Sequence, residues 1–308
     1  MIPAFSTVAT PDWTLAQIAQ RAAALGFQAV ELRTFGDDSR QFACDPALTS
    51  DAKVRALFRE AGLDIACVAS SVRFDAPVFP PVLGYLSPNV DRSLREGKRA
   101  VGLAVSIESP LVRVFGYEIP AYEKRASAVN RITERLRSVV DHADKTGVRV
   151  VVENGGSFST AAELREIIDA IDSPLLGAAY SPATALLAGD DPLAAIRTLA
   201  DKLWLVHIKD AKGQTPCPLG EGDLGCREFV GALVAERFNG PLVFEWDRAW
   251  TPGLAPAEKA LAHASRTMYQ WIGGKASPGA PVAAAPAPAK SVGKPAKPAK
   301  AGGGGRRR

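Results

Sequence analysis

The chain has 308 residues, 47% of them hydrophobic and 23% charged, with 37 Lys and Arg against 33 Asp and Glu. This length accommodates one large core or two modest ones, and the mixture is that of an ordinary globular protein, which excludes a collagen, a coiled coil or a disulfide-rich miniprotein. The charge is divided: residues 275–308 hold eight Lys or Arg and no acid, leaving 29 basic against 33 acidic residues in the rest of the chain.

No apolar run is long enough to span a bilayer. The start, MIPAFSTVATPDW, has no basic stretch ahead of an apolar one, so no secretory signal is expected. Cys44, Cys67, Cys217 and Cys226 form no CxxC pair. Neither a disulfide framework nor a zinc cluster is expected, and a reducing cytoplasm is.

From the N-terminus, FSTVA (5–9) predicts a strand, and Thr10-Pro11 predicts a helix start because proline suits the first helical position. Leu15, Ile18, Ala22 and Leu25 share one helical face, closed by Gly26, and FQAVELR predicts a second strand. A helix over 46–61 and LDIACVAS follow, then a helix over 89–107 and PLVRVFG. A helix from about 120 carries Val129, Ile132, Leu136, Val140 and Ala143 on one stripe and leads to VRVVVEN. Helices over 160–171, 191–200 and 226–237 precede SPLLGAAY, KLWLVHIKD and GPLVFEW, and a last helix runs over 256–272.

Eight strand–helix units with near-continuous apolar strands predict a (β/α)8 TIM barrel over 1–274. A doubly wound open sheet is the rival, but it usually carries a glycine-rich phosphate turn after its first strand, and FSTVATPDW has none. Residues 275–308, a Pro/Ala/Lys repeat, cannot bury a core and predict a disordered basic tail. That tail serves either as a solubilising extension or as an arm for nucleic acid or another anionic surface.

Reacting groups of such barrels come from the C-terminal ends of different strands. Those ends supply Glu31 and Arg33, Arg113, Glu153 and Asn154, Tyr180 and Ser181, His207 with Lys209 and Asp210, and Glu245 with Asp247. Glu153, His207 and Glu245 each end a run of Val, Leu, Ile and Phe, and two carboxylates with an imidazole make an acid/base pair or a divalent-metal site. Glu31 with Arg33 reads equally well as a structural ion pair, and Asp210 as a residue that orients the rim. His142 and His263 lie within helices and read as surface or packing residues. Gly220, Glu221 and Gly222 form a loop at the mouth, either a plain turn or a substrate contact. Trp246 and Trp250 pack or wall the pocket.

These segments resemble the xylose isomerase-like sugar phosphate isomerase/epimerase superfamily over nearly all of residues 1–273. The resemblance rests on AALGFQAVELR, VRVFG, VVVEN, VHIKDAKG with PLGEGDLGCREF, and LVFEWDRAWTPGL. It implies a divalent cation (Mn, Mg or Zn) held by Glu, Asp, His and Glu from strands five to eight. Carried onto this chain, the metal ligands are Glu153, His207 and Glu245, with Ser181 where the Asp would stand and Thr184 where a substrate-facing histidine would. Ser159 and Gly213 replace two further substrate contacts. The resemblance implies Glu153 and Glu245 as catalytic groups, and Arg33, Thr184, Lys209 and Glu221 as contacts to a small carbohydrate-like substrate.

The expected function is a sugar or sugar phosphate isomerase or epimerase working through an enediolate, with a dehydratase sharing that chemistry. The alternative is a catalytically degenerate barrel that binds a sugar-like ligand or a partner protein, its ion weak or absent. A homo-oligomer fits either. A DNA repair endonuclease of the same superfamily fits poorly, given three histidines in all and an acidic body.

Overall fold

The computed structural model describes residues 1–35, 41–42, 50–76 and 88–274. The expected tail (275–308), Cys44 and the first residues of the helix expected over 46–61 lie outside the described residues. The strands are β1 (Ile2–Ser6), β2 (Ala29–Phe35), β3 (Gln41–Phe42), β4 (Asp64–Arg73), β5 (Leu111–Phe115), β6 (Arg149–Glu153) and β7 (Leu176–Tyr180). After them come β8 (Leu203–Ile208), β9 (Asp210–Lys212), β10 (Thr215–Cys217) and β11 (Pro241–Phe244). Eight of them run parallel in the order β1-β11-β8-β7-β6-β5-β4-β2, and β1 also pairs with β2, which closes the barrel. The short β3 adds antiparallel to β2, and β9 with β10 forms a separate hairpin.

Around the barrel lie α1 (Leu15–Ala24), α2 (Asp51–Glu60), α3 (Pro88–Ser106), α4 (Arg125–His142), α5 (Ala161–Ile171), α6 (Pro182–Leu187), α7 (Pro192–Leu199), α8 (Cys226–Ala235) and α9 (Ala257–Ile272). The stripe Val129, Ile132, Leu136, Val140 and Ala143 is buried against the sheet. Burying a side chain of Val, Leu or Ile size stabilises by about 1.5–3 kcal/mol, so one such stripe fixes the helix in place. None of the described helices is long and apolar enough to cross a membrane.

Three expectations are corrected. The first strand is Ile2–Ser6, and Thr7–Ala9 turns into a 3-10 helix, because Phe5 and Ser6 already pair with Val30 and Glu31 where β2 runs on. Helix α1 starts after Thr14, not at Thr10-Pro11: the Thr14 hydroxyl accepts from Gln17 N–H while the Gln17 side chain accepts from Thr14 N–H. Helix α4 starts at Arg125, since Pro120 to Glu123 close a turn of their own. Helix α6 and the β9–β10 hairpin were not anticipated; both lie in the loops that follow strands at the barrel mouth.

The inside of the barrel is built in two levels. Ala4, Ala29, Ala66, Cys67, Leu111, Val151, Ala179, Leu205 and Val243 form one apolar cluster, distinct from the cluster between sheet and helices. Side chains two residues apart on a strand face the same way. Two positions beyond these inward-facing residues stand Ser6, Glu31, Arg113, Glu153, Ser181, His207 and Glu245.

Candidate active site

His207 is the centre of that second level. It is buried between two carboxylates, with Nε2 2.8 Å from Glu31 Oε2 and Nδ1 3.1 Å from Glu153 Oε1. Arg113, also buried, donates through Nη1 to the other oxygen of Glu153 and through Nη2 to Ser70 O at 3.3 Å. The result is a chain of alternating sign across four strands: Glu31, His207, Glu153, Arg113.

Burial opposes the charge on His207, but Glu153, Glu31 and Glu245 outweigh it and raise its pKa well above the ordinary imidazole value. Burial raises the Glu153 carboxyl too, yet Arg113 and His207 pull it well below the usual carboxylate range. Glu31 is lowered in the same way, with His207 overcoming its desolvation. Arg113 stays charged, its desolvation exceeded by Glu153 and Glu31.

Above this level the barrel opens into a cavity of about 340 Å³ lined by Arg33, Arg113, Glu153, Thr184, Lys209, Glu245, Asp247 and Trp250, among others. Lys209 Nζ lies 3.4 Å from Glu245 Oε2 and 3.0 Å from Asp247 Oδ2, and these carboxylates hold its proton above the ordinary lysine range. Arg33 donates to Ala69 O at 2.8 Å and Ser71 Oγ at 2.9 Å, and burial pushes its pKa down to about 9. A larger cavity of about 1030 Å³ opens at the opposite end, around the starts of the strands. Its titratable residues, such as Arg149, Arg197 and Asp64, are all exposed, whereas the coupled buried groups sit at the C-terminal mouth. The mouth is therefore where chemistry is concentrated.

The residues singled out from the sequence divide as follows. Glu153 and His207 touch, and Glu245 joins His207 and Glu31 in a group whose ligand atoms lie within 4.8 Å of one another. Glu153 is outside that group, its oxygens turned to His207 and Arg113. Arg33, Thr184 and Lys209 line the cavity; Glu221 is exposed and is not among its lining residues. Ser181 is buried and its Oγ makes no hydrogen bond.

Other strand-end residues have structural duties. Asn154 donates to Ser159 O and Ser181 O, both at 3.0 Å, and accepts from Ser181 N–H at 2.7 Å, stapling the end of β6 to that of β7. Tyr180 points out of the barrel, its hydroxyl 3.1 Å from Asp190 Oδ2. Asp210 accepts from the N–H groups of Gly220 at 2.8 Å and Gly222 at 3.1 Å, so it shapes the loop that carries Glu221. Trp246 is buried and donates to Ala255 O at 2.9 Å, whereas Trp250 lines the mouth. His142 is exposed at the end of α4, and His263 bonds Leu219 O at 2.8 Å.

Sequence reasoning missed Tyr117 and underweighted Glu31 and Arg113. Tyr117 lines the mouth with φ 97°, a conformation L-residues rarely adopt. Glycine at 156 permits it, because a Cβ there would lie 2.8 Å from Tyr117 O. The signal for Glu31 and Arg113 was available: each follows a small or apolar inward residue, Ala29 and Leu111, by two positions.

Residues 19–271 match the family described as xylose isomerase-like TIM barrel. A curated 3-dehydroshikimate dehydratase of Pseudomonas putida is 23% identical over 248 residues, 75% of this chain and 36% of that protein. An inosose dehydratase of Bacillus thuringiensis is 24% identical over 126 residues, 40% of this chain and 41% of that one. The chain thus spans between a third and a half of the length of these curated relatives. Among solved structures, an L-ribulose 3-epimerase superimposes with TM-score 0.73 at 17% identity, over 88% of this chain and 94% of that one. A zinc-bound IOLI protein does so with TM-score 0.71 at 14% identity, over 88% and 98%. At these identities the structures establish a shared fold.

Proposed function

Because the chain belongs to the xylose isomerase-like TIM barrel family, we propose that it is an enzyme of a small, carbohydrate-like hydroxy-carbonyl compound, an isomerase or epimerase that works through an enediolate. The observation that carries this reading is the convergence of Glu31, Glu153, His207 and Glu245 with Arg113 and Lys209 at one mouth, over a cavity of about 340 Å³. That volume suits a ligand of sugar size. Arg33, Arg113 and Lys209 favour a substrate that bears a phosphate or carboxylate, or that becomes anionic as it reacts.

Whether a divalent ion fits is decided by the donors. Glu31, His207 and Glu245 offer two carboxylate oxygens and an imidazole nitrogen within 4.8 Å of one another. Such a set would suit Mn, Mg or Zn with positions left for water and substrate, the ion displacing the proton that His207 Nε2 shares with Glu31. A bound ion there supplies polarisation of a carbonyl oxygen.

The protein's own residues do the rest. Glu153 is held anionic by Arg113 and His207, which occupy its two oxygens and lower its basicity, so it accepts a proton only as substrate replaces one of those contacts. Glu245 lines the same cavity beside Lys209. One glutamate removes the proton α to the carbonyl and the other returns it to the neighbouring carbon or the opposite face. Arg113 and protonated Lys209 stand where the developing oxyanion gains charge-assisted hydrogen bonds.

Dehydration is the second reading, favoured by the names of the two curated relatives. The same enediolate expels a β-hydroxyl as water once that oxygen takes up a proton, with Lys209 lending it a charge-assisted hydrogen bond. The test is incubation with Mn²⁺ and a panel of ketoses, their phosphates and cyclic hydroxy-ketones in D₂O. Deuterium at the carbon beside the carbonyl supports either reading, and product identity separates them. No exchange with any member, and no ion uptake, points instead to a barrel that only binds.

A further inference from the structure

Glu153 is the inward carboxylate of β6, yet it does not join the group of residues that can share one ion. Its Oε2 is taken by Arg113 Nη1 in a buried ion pair, and its Oε1 faces His207 Nδ1 at 3.1 Å. Beside it in the sheet, β7 presents Ser181 between Glu153 on β6 and His207 on β8. Ser181 is 1% exposed, and its hydroxyl meets no hydrogen-bond partner. The inward polar position between Glu153 and His207 therefore carries no charge, and the neighbouring carboxylate is held by a guanidinium.

We infer that Arg113 and Ser181 together make divalent-ion binding at Glu31, His207 and Glu245 weak and exchangeable, Arg113 by holding Glu153 out of the ligand set and Ser181 by offering only a neutral hydroxyl. Two features of elementary chemistry carry this. A hard divalent ion gains most of its affinity from carboxylate charge, and a hydroxyl is a much poorer donor. A fixed cation against a would-be ligand both occupies that ligand's oxygen and repels the incoming ion. The inference rests on the ion site proposed above, and it makes ion concentration, not only substrate, a control on this centre.

The test is titration of the ion-free full-length protein with Mn²⁺, following free Mn²⁺ by its electron paramagnetic resonance signal and thermal stability in parallel. The wild-type protein should lose its ion on desalting. Ser181→Asp, which places a carboxylate between Glu153 and His207, should tighten Mn²⁺ at least tenfold, and Arg113→Gln should do so by releasing Glu153. Arg113→Gln strips a buried carboxylate of its partner, so its folding is checked with Mn²⁺ present; Ser181→Asp leaves the Arg113–Glu153 pair in place and decides the matter by itself if the other variant does not fold. Retention of one equivalent of Mn²⁺ by the wild-type protein through desalting would overturn the inference. So would Mn²⁺ affinity in Ser181→Asp within twofold of wild type. Since the readout is ion affinity, loss of substrate exchange with the tightening intact would sink the proposed function and leave this inference standing.

Discussion

Two levels inside the same barrel differ by two residues along each strand and by everything in their chemistry. The lower level, Ala29, Leu111, Val151, Ala179, Leu205 and Val243, is apolar and buried. The upper level, Glu31, Arg113, Glu153, Ser181, His207 and Glu245, carries three carboxylates, a guanidinium and an imidazole, most of them equally buried. Burying charge costs several kcal/mol per ion unless partners compensate, so a fold gains nothing in stability by placing this group there over an apolar equivalent. The lower level holds the barrel together, and under the proposed function the upper level uses that rigidity to fix groups for chemistry.

Perturbing each level should therefore produce opposite signatures. Leu205→Ala, in the lower level, removes a buried side chain from a closed cluster and should cost about 2–5 kcal/mol in chemical denaturation. Its turnover per folded molecule should remain near wild type. A variant that keeps its stability but loses turnover would show that the lower level takes part in catalysis, and the distinction would fail.

The pH dependence of stability sharpens the comparison further, because the mutually paired carboxylates and imidazole belong to the upper level. Glu31 and Glu153 have folded pKa values below their unfolded ones, so their contribution is complete above the ordinary carboxylate range, about 4.3, and is lost as pH falls through the depressed values. His207 is raised, so its contribution is complete below about 6.5 and is lost as pH rises through its folded value. Stability measured by denaturation should hold a plateau between about pH 4.3 and about pH 6.5 and fall on both sides. In Glu153→Gln the acid-side fall should shrink, and an unchanged profile would contradict the coupling.

A smaller effect concerns binding. Burial lowers the pKa of Arg33 from the ordinary guanidinium value, but the group keeps its charge and donates to Ala69 O and Ser71 Oγ at the edge of the mouth. KM for an anionic substrate should rise in Arg33→Gln at every pH with kcat little changed, and an unchanged KM would remove Arg33 from the substrate contacts. Smallest is the loop behind the mouth. Asp210→Asn keeps the shape but weakens the bonds to Gly220 and Gly222, for about 1–2 kcal/mol at most. It should raise amide exchange in residues 218–224 and leave exchange in β8 unchanged.

Much of this was legible in the sequence. Continuous Val, Leu and Ile runs alternating with amphipathic segments lead directly to the barrel, because a parallel sheet buried on both faces leaves no polar alternation to obscure it. Glu153, His207 and Glu245 stood out because each interrupts such a run at its end. Partners were not legible. Glu31 lies only two residues from Arg33 and reads as its ion-pair mate, yet the barrel closes so that Glu31 meets His207, 176 residues away in the chain. Arg113 was visible at a strand end, but its hold on Glu153 depends on the neighbouring strands. Tyr117 owes its place to a backbone conformation that Gly156 permits, which no side-chain pattern announces.

The most direct test of the proposed function is a solvent proton-exchange rate measured on Glu153→Gln and Glu245→Gln beside the wild-type protein, with Mn²⁺ and an accepted substrate in D₂O. The account predicts that both variants fold, bind substrate and lose exchange by about 10³-fold, the scale of a general acid/base contribution. Exchange at the wild-type rate in either folded variant would contradict it.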